Sequence, residues 1–270
     1  DLLSFYPPLL EGFYPIELSD PSVSLTLLWG DANELLPQLV AKADAWYLDG
    51  FSPKKNPELW HGKIFKSIAN LSKPGTSFAT FTAAGLVKQG LEEAGFRVQK
   101  TKGFGHKKDM LYGDFEAKAC QSLPAWFALP DAKICHGKVA VIGGGIAGIA
   151  CAYRLLRRGY EVDLYESRST LANEASSNPK ALLKPQLSPN FNLADQFYTA
   201  GFFYSSQIIQ NLNVPVVAEL TGLIQLTGSE GLASRFKKIR EKRELPEEFA
   251  EYVDAKKASQ LAGIAVKKGG

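Results

Sequence analysis

Apolar and polar positions switch between two periods along the first half of the chain. SLTLLWGDA alternates and reads as a strand ending near Gly30 and Asp31. Asn33 to Val40 predicts a short helix. DAWYLDGF predicts a second, buried strand ending at Asp49, and in SPKKNPELW the two prolines, Pro53 and Pro57, predict a loop. Ile64, Phe65, Ile68 and Leu71 fall on one helix face, with Pro74-Gly75 as the stop. SFATFT is a third strand, Leu86, Val87, Leu91 and Ala94 mark a further helix capped by Gly95, and FRVQKTK is a fourth strand. Strands alternating with helices predict a parallel α/β sheet over residues 22–115.

The periodicity then lapses over residues 116–137, which hold two prolines and no apolar face, and resumes at Lys138. We expect a first domain at 1–120, a linker at 121–137 and a second domain at 138–270. The second opens with VAVI as a strand, IAGIACAYRLLRR as a helix and EVDLYE as a strand. Between the first strand and the helix stand Gly143, Gly145 and Gly148, spaced G-x-G-x-x-G. Such glycines allow a tight turn, backbone approach to a pyrophosphate and close helix–strand packing. The helix N-terminus then faces the phosphates with its dipole and free N–H groups. Glu166 ends the second strand, where an acid accepts hydrogen bonds from the adenosine ribose and disfavours a 2′-phosphate. FAD or NAD therefore fits better than NADP, against the blander reading of glycines used only for packing. The polar stretch after Glu166, rich in Ser, Asn and Pro and containing Ser176, suits a loop running past a flavin.

Composition narrows the picture modestly. With 45% hydrophobic residues in 270, the chain can bury two cores. No apolar run approaches the ~20 residues of a membrane span. Cys120, Cys135 and Cys151 are odd in number and form no C-x-x-C, so a disulfide framework or zinc site is not expected and a reducing, cytoplasmic setting is. No metal centre is expected. The net charge of +3 does not by itself imply a nucleic-acid partner. Locally, Lys100, Lys102, His106, Lys107 and Lys108 surround Phe104. That cluster suits phosphates and a stacked base, or is a solvated basic loop.

Asp31 and Asp49 both close predicted strands, so both are expected at the carboxyl edge of the sheet, where α/β folds bind ligands. Each could also be a turn former. In DGFSPKKNPELW an acid and an aromatic precede a loop fixed by Pro and Asn, an arrangement able to hold an amine or a planar base. Methyl transfer to an amine asks for little beyond in-line positioning and a deprotonated acceptor.

The stretch LSKPGTSFATFTAAGLVKQGLEEAGFRV resembles Rossmann-like methyltransferases that use S-adenosylmethionine, and G-x-G-x-x-G-x3-A-x6-G-x6-E resembles FAD-binding oxidoreductases of the glutathione reductase and D-amino-acid oxidase groups. Joined in this order, and with YPPLLEGFYPIEL, LLWGDANELLPQL, KGFGHKKDMLYG, DAKKASQLAGI and above all DGFSP-x-x-NP-x-x-W, the chain resembles the MnmC family of bifunctional tRNA-modifying enzymes. The resemblance implies an α/β fold of two Rossmann-like domains, a shortened methyltransferase domain followed by a shortened D-amino-acid-oxidase-like domain. It implies FAD and S-adenosylmethionine as cofactors and tRNA, at the wobble uridine of the anticodon loop, as substrate, with neither DNA nor membrane as partner. It implies Asp31 beside the adenine of S-adenosylmethionine, Asp49 facing the acceptor amine with Phe51 at the base, and Asn56, Trp60, Lys107 and Lys108 as substrate contacts. Gly143, Gly145, Gly148, Glu166 and Ser176 would hold FAD. The flavin-side reaction removes a carboxymethyl group from the side-chain amine, and the other half methylates the freed amine.

Three departures qualify that expectation. The Gly-rich S-adenosylmethionine loop of the family precedes the first residue, the family continues past KKGG, and Ser177 and Ala181 stand where the family reads A-S-G-N-x-x-G. The chain is expected to be an internal piece of a longer protein. Two other functions stay open: a flavin amine or amino-acid oxidase with an inactive front domain, and a non-catalytic module that binds tRNA or nucleotide.

Overall fold

A computed structural model describes residues 6–8, 10–18, 20, 22–117, 137–212, 221–267, 269 and 270. The expected linker, with Cys120 and Cys135, lies outside these residues except at Gly137. The elements are β1 (Gly12–Glu17), β2 (Ser24–Trp29), α1 (Ala32–Leu35), β3 (Ala43–Leu48), α2 (Gly62–Asn70), β4 (Ser72–Thr80), α3 (Gly85–Glu93), β5 (Phe96–Lys102), β6 (Asp109–Phe115), β7 (Lys138–Ile142), α4 (Ile146–Arg157), β8 (Glu161–Tyr165), α5 (Leu193–Asn211), α6 (Glu230–Lys242) and α7 (Ala255–Ala262). The chain divides into two compact units: Gly30–Ala132, and Asp1–Trp29 together with Lys133–Gly270.

In the first unit a four-stranded sheet has the order β3-β4-β6-β5. Strands β3 and β4 are parallel, and β6 is antiparallel to both β4 and β5, so β5 runs in the same direction as β3 and β4. The expected all-parallel sheet is thus interrupted by β6, a strand hidden in sequence behind the lysines that precede it. Its apolar partners are Leu111 and Phe115, both buried. They join Phe65, Ile68, Phe78, Val87, Leu91 and Phe96 in one core. Phe78 meets Phe96 edge-on at 5.4 Å, and Phe96 meets Phe115 at 4.9 Å.

Two local expectations change. Strand β3 is not buried: it is an edge strand, so Trp46 and Leu48 lean on the core while Tyr47 is 85% exposed. Pro74-Gly75 does not stop α2, which ends at Asn70; the pair lies within β4. There the register against β3 shifts between Ala43 and Ala45, the irregularity in which a strand proline is tolerated. Thr76 closes it, its hydroxyl donating to the Ala43 carbonyl at 2.6 Å and accepting from the Lys73 N–H at 2.9 Å.

In the second unit β1 and β2 form an antiparallel pair, and β7 and β8 a parallel pair followed on by α5, α6 and α7. Tyr14 of β1 packs on Phe203 of α5 at 5.7 Å. The Glu17 carboxylate collects the hydroxyls of Tyr153 and Tyr204, each at 2.9 Å, and the guanidinium of Arg154. Burial pushes the Glu17 carboxyl up, but those three donors outweigh it and hold it below its ordinary value. Burial, with Glu17 as hydrogen-bond partner, raises the Tyr204 phenol to about 12. Glu17 therefore stabilises the fold above its unfolded-state value of 4.5, and that contribution is lost as pH falls through the lowered folded value. Urea midpoints of the wild type and Glu17→Gln should differ at pH 6 and converge as pH falls through the lowered folded value. A gap that persists at low pH would show that the carboxylate charge is not what matters.

Candidate functional sites

The carboxyl edge of the four-stranded sheet is set by its register. Leu48 pairs with Thr80, Thr80 with Leu111, and Leu111 with Lys100. One edge therefore presents Asp49 after β3, Phe81 after β4 and the loop of residues 103–108 after β5. Asp49 and Phe51 are exposed there. The SPKK segment turns back on itself, the N–H groups of Lys55 and Asn56 donating to the Ser52 carbonyl. A 3-10 turn follows at Pro57–Trp60, preceded by Asn56, whose side chain makes no cap hydrogen bond, so the expected loop contains one helical turn with Pro57 at its start, where a missing N–H is harmless. Trp60 is not a surface contact: it is 3% exposed, and its indole N–H donates to the Phe51 carbonyl at 2.7 Å. It holds the loop that carries Phe51.

Lys107 and Lys108 are exposed in the basic loop. The Gly103 N–H donates to the Lys108 carbonyl at 3.1 Å and the Lys107 N–H to the Phe104 carbonyl at 3.2 Å, closing that loop. The Lys107 ammonium lies 5.0 Å from the centre of the Phe81 ring.

Asp31 does not end a strand neighbouring β3. Strand β2 pairs with β1 instead, and β3 with β4. Tyr14 and Ile16 of β1 are buried and give β2 an apolar partner strand that the sequence pattern did not reveal. Asp31 is the N-cap of α1, and its Oδ1 accepts from the Asn33 N–H at 2.8 Å and from Asn33 Nδ2 at 2.9 Å. The Asn33 backbone N–H, then its amide, hold the Asp31 carboxyl below its usual range.

In the second unit the glycine motif, Glu166 and Ser176 come together. Gly143, at φ +102°, donates its N–H to the Tyr165 carbonyl at 2.8 Å, tying the turn to β8. A Cβ at Gly148 would overlap the Gly143 carbonyl oxygen and lie 3.0 Å from its carbon, so only glycine lets α4 start this close to β7. Glu166 Oε2 accepts from the Gly144 N–H at 2.7 Å, and Oε1 from the Arg168 N–H at 2.9 Å and the Ser167 hydroxyl at 3.1 Å. The Arg168 and Gly144 N–H groups, in that order, hold the Glu166 carboxyl below its ordinary range. The Ser176 hydroxyl accepts from the Ile146 N–H, the first of α4, at 3.1 Å. An acid at the end of β8 and a hydroxyl at the first turn of α4 fit the ribose and pyrophosphate of an adenine dinucleotide. Between β8 and α5 the chain makes one 3-10 turn, at Ala175–Ser177, as its polar composition predicts.

That loop ends at a network the sequence did not signal. Asp195 of α5 is fully buried and takes the Ser188 N–H, the Thr199 hydroxyl at 3.0 Å and the Arg243 guanidinium at 2.7 Å. The only clue was N-L-A-D, an Asn three residues before an acid, in which Asn192 caps α5. Among the described residues no group of three or more His, Cys, Asp or Glu could hold a metal, and no helix is long and apolar enough to cross a membrane.

Residues 1–116 match a family described as S-adenosyl-L-methionine-dependent methyltransferase, and residues 138–270 one described as FAD dependent oxidoreductase. A protein of Ectopseudomonas mendocina named tRNA 5-methylaminomethyl-2-thiouridine biosynthesis bifunctional protein MnmC is 39% identical over 269 residues, covering 100% of this chain and 41% of its own length. The protein of the same name from Magnetococcus marinus is 38% identical over 274 residues, with the same coverage. A crystal structure of MNMC2 from Aquifex aeolicus aligns at 28% identity over 35% of this chain and 30% of that one, with a TM-score of 0.32, too slight a similarity to establish a shared fold. The chain thus spans about 41% of the length of the curated relatives it matches. Along its whole length the chain is similar to proteins named MnmC, its residues 1–116 matching the methyltransferase family and its residues 138–270 the FAD-dependent oxidoreductase family.

Proposed function

We propose that the protein carrying this chain modifies the wobble uridine of tRNA in two steps. The portion at 138–270 contributes to FAD-dependent removal of the carboxymethyl group from 5-carboxymethylaminomethyl-2-thiouridine. The portion at 1–120 contributes to S-adenosylmethionine-dependent methylation of the amine that this exposes. The observation that carries the reading is the shared carboxyl edge, where Asp49 and Phe51 stand in one row with the basic loop.

FAD, when bound, supplies the two-electron acceptor. Gly143, Gly145 and Gly148 would seat its pyrophosphate, Glu166 its ribose, and Ser176 would meet a phosphate oxygen. Asp31, whose Oδ2 lies outside the cap, would hold the adenosine of S-adenosylmethionine. The Asp49 carboxylate would accept a hydrogen bond from the acceptor amine and so aim its lone pair at the sulfonium methyl. Phe51 would stack on the base, Asn56 would contact the substrate beside it, and Lys107 and Lys108 would meet backbone phosphates.

Asp49→Ala in the full-length protein should lower tRNA methylation by at least about a hundredfold and spare the oxidase reaction. Equal loss of both activities would show that Asp49 does not belong to the methyl-transfer site.

A further inference from the structure

Lys107 stands on an exposed loop, where a long side chain needs a neighbour to aim it at a phosphate. Phe81 follows the last residue of β4, directly beside the carboxyl end of β3. It is partly buried, and its ring touches both sides of the edge. On one side Trp60, which holds the Phe51 carbonyl, meets it edge-on at 6.4 Å. On the other lies the Lys107 ammonium, 5.0 Å from the ring centre. The main chain adds a second constraint. A Cβ at Gly103 would lie 2.5 Å from the Lys107 carbonyl oxygen and 2.7 Å from its Cβ, so the Lys107 main chain is packed against the end of β5. A contiguous run therefore leads from the Phe51 loop through Trp60 and Phe81 to Lys107.

We propose that Phe81 is a positioning residue for RNA: its ring holds the Lys107 ammonium at the Asp49 edge, on the phosphate next to the base whose amine is methylated. This rests on the tRNA reading. The ring face attracts the cation, and an ammonium so placed keeps N–H donors for a phosphate oxygen.

The test is a double-mutant cycle on the full chain, with an anticodon stem-loop RNA as probe and affinity measured across a salt series. Lys107→Gln should weaken binding and reduce the slope of log K against log salt by about one. Phe81→Leu should weaken binding about two- to fivefold and lower the slope part of the way. In the Lys107→Gln background, Phe81→Leu should have no further effect, and Phe81→Tyr should behave as wild type. An equal Phe81→Leu effect in both backgrounds, or none in either, would overturn the proposal and leave the tRNA reading intact. A wild-type chain without salt-dependent RNA binding would overturn both.

Discussion

Replacing Arg243 with Met should cost the second unit about 3–5 kcal/mol, a large part of the roughly 5–15 kcal/mol that holds a typical domain together. Asp195 has no exposed side-chain surface and Arg243 only 11%, so the pair is shielded from water. Methionine keeps most of the length of the arginine stem but removes the charge. The carboxylate is then left with the Ser188 N–H and the Thr199 hydroxyl. Desolvation makes an unpaired buried charge far costlier than the pair itself is worth. Adding Asp195→Asn should recover most of the loss, because the residue left behind is neutral. Urea unfolding of the two variants and the wild type decides the matter through the midpoint at constant m. A cost below about 1 kcal/mol for the single change would place this pair with ordinary surface ion pairs.

The effect should reach the cofactor loop. Arg243 also donates to the Ser188 carbonyl at 3.0 Å and lies 4.8 Å from the Phe191 ring. Phe191 takes φ +45°, which costs a bulky residue about 1–3 kcal/mol, and the Gln196 amide fixes its carbonyl at 2.9 Å. Arg235 adds a bond to the Leu187 carbonyl at 3.0 Å. The turn that ends the loop after Glu166 is held in a strained shape between α5 and the end of α6, which the Asp195–Arg243 pair joins.

Local chemistry was legible in the sequence, and pairing was not. The strand–turn–helix–strand of residues 138–165 could be read because glycine spacing and apolar runs are local signals, which also put Glu166 at the end of the second strand. Helices α2 and α3 could be read from apolar positions at helical spacing. Strand pairing is decided by partners distant in sequence, so β2 was assigned to a sheet whose edge it does not join. Strand β6 was missed because Lys107 and Lys108 masked the alternation in DMLYGDF. Trp60 illustrates the same limit: its place in a loop motif suggested contact with substrate, while it is buried in one cluster with Val87 of α3 and meets Phe81, just after β4. The Asp195–Arg243 pair joins residues 48 apart, and no local pattern announces it.

Gly148→Ala should abolish flavin retention, leaving the purified protein without flavin absorbance. The added methyl group would overlap the Gly143 carbonyl oxygen, which cannot move away freely because the Gly143 N–H is bonded to Tyr165 at the end of β8. Relief must come from withdrawing α4 from β7. That shift displaces the Ile146 N–H from the Ser176 hydroxyl and the Gly144 N–H from Glu166, so the contacts proposed for phosphate and ribose come apart together. Gly145→Ala makes the useful contrast. Its Cβ would approach only the Ser176 hydroxyl, at 3.3 Å, which a small rotation relieves. That variant should fold as the wild type does and bind FAD more weakly, since the methyl group obstructs the pyrophosphate rather than the packing. Absorption spectra before and after heat release of the flavin, with thermal unfolding of each variant, separate the two effects. A Gly148→Ala protein that kept a full complement of FAD would show that α4 does not need to approach β7 this closely to hold the cofactor.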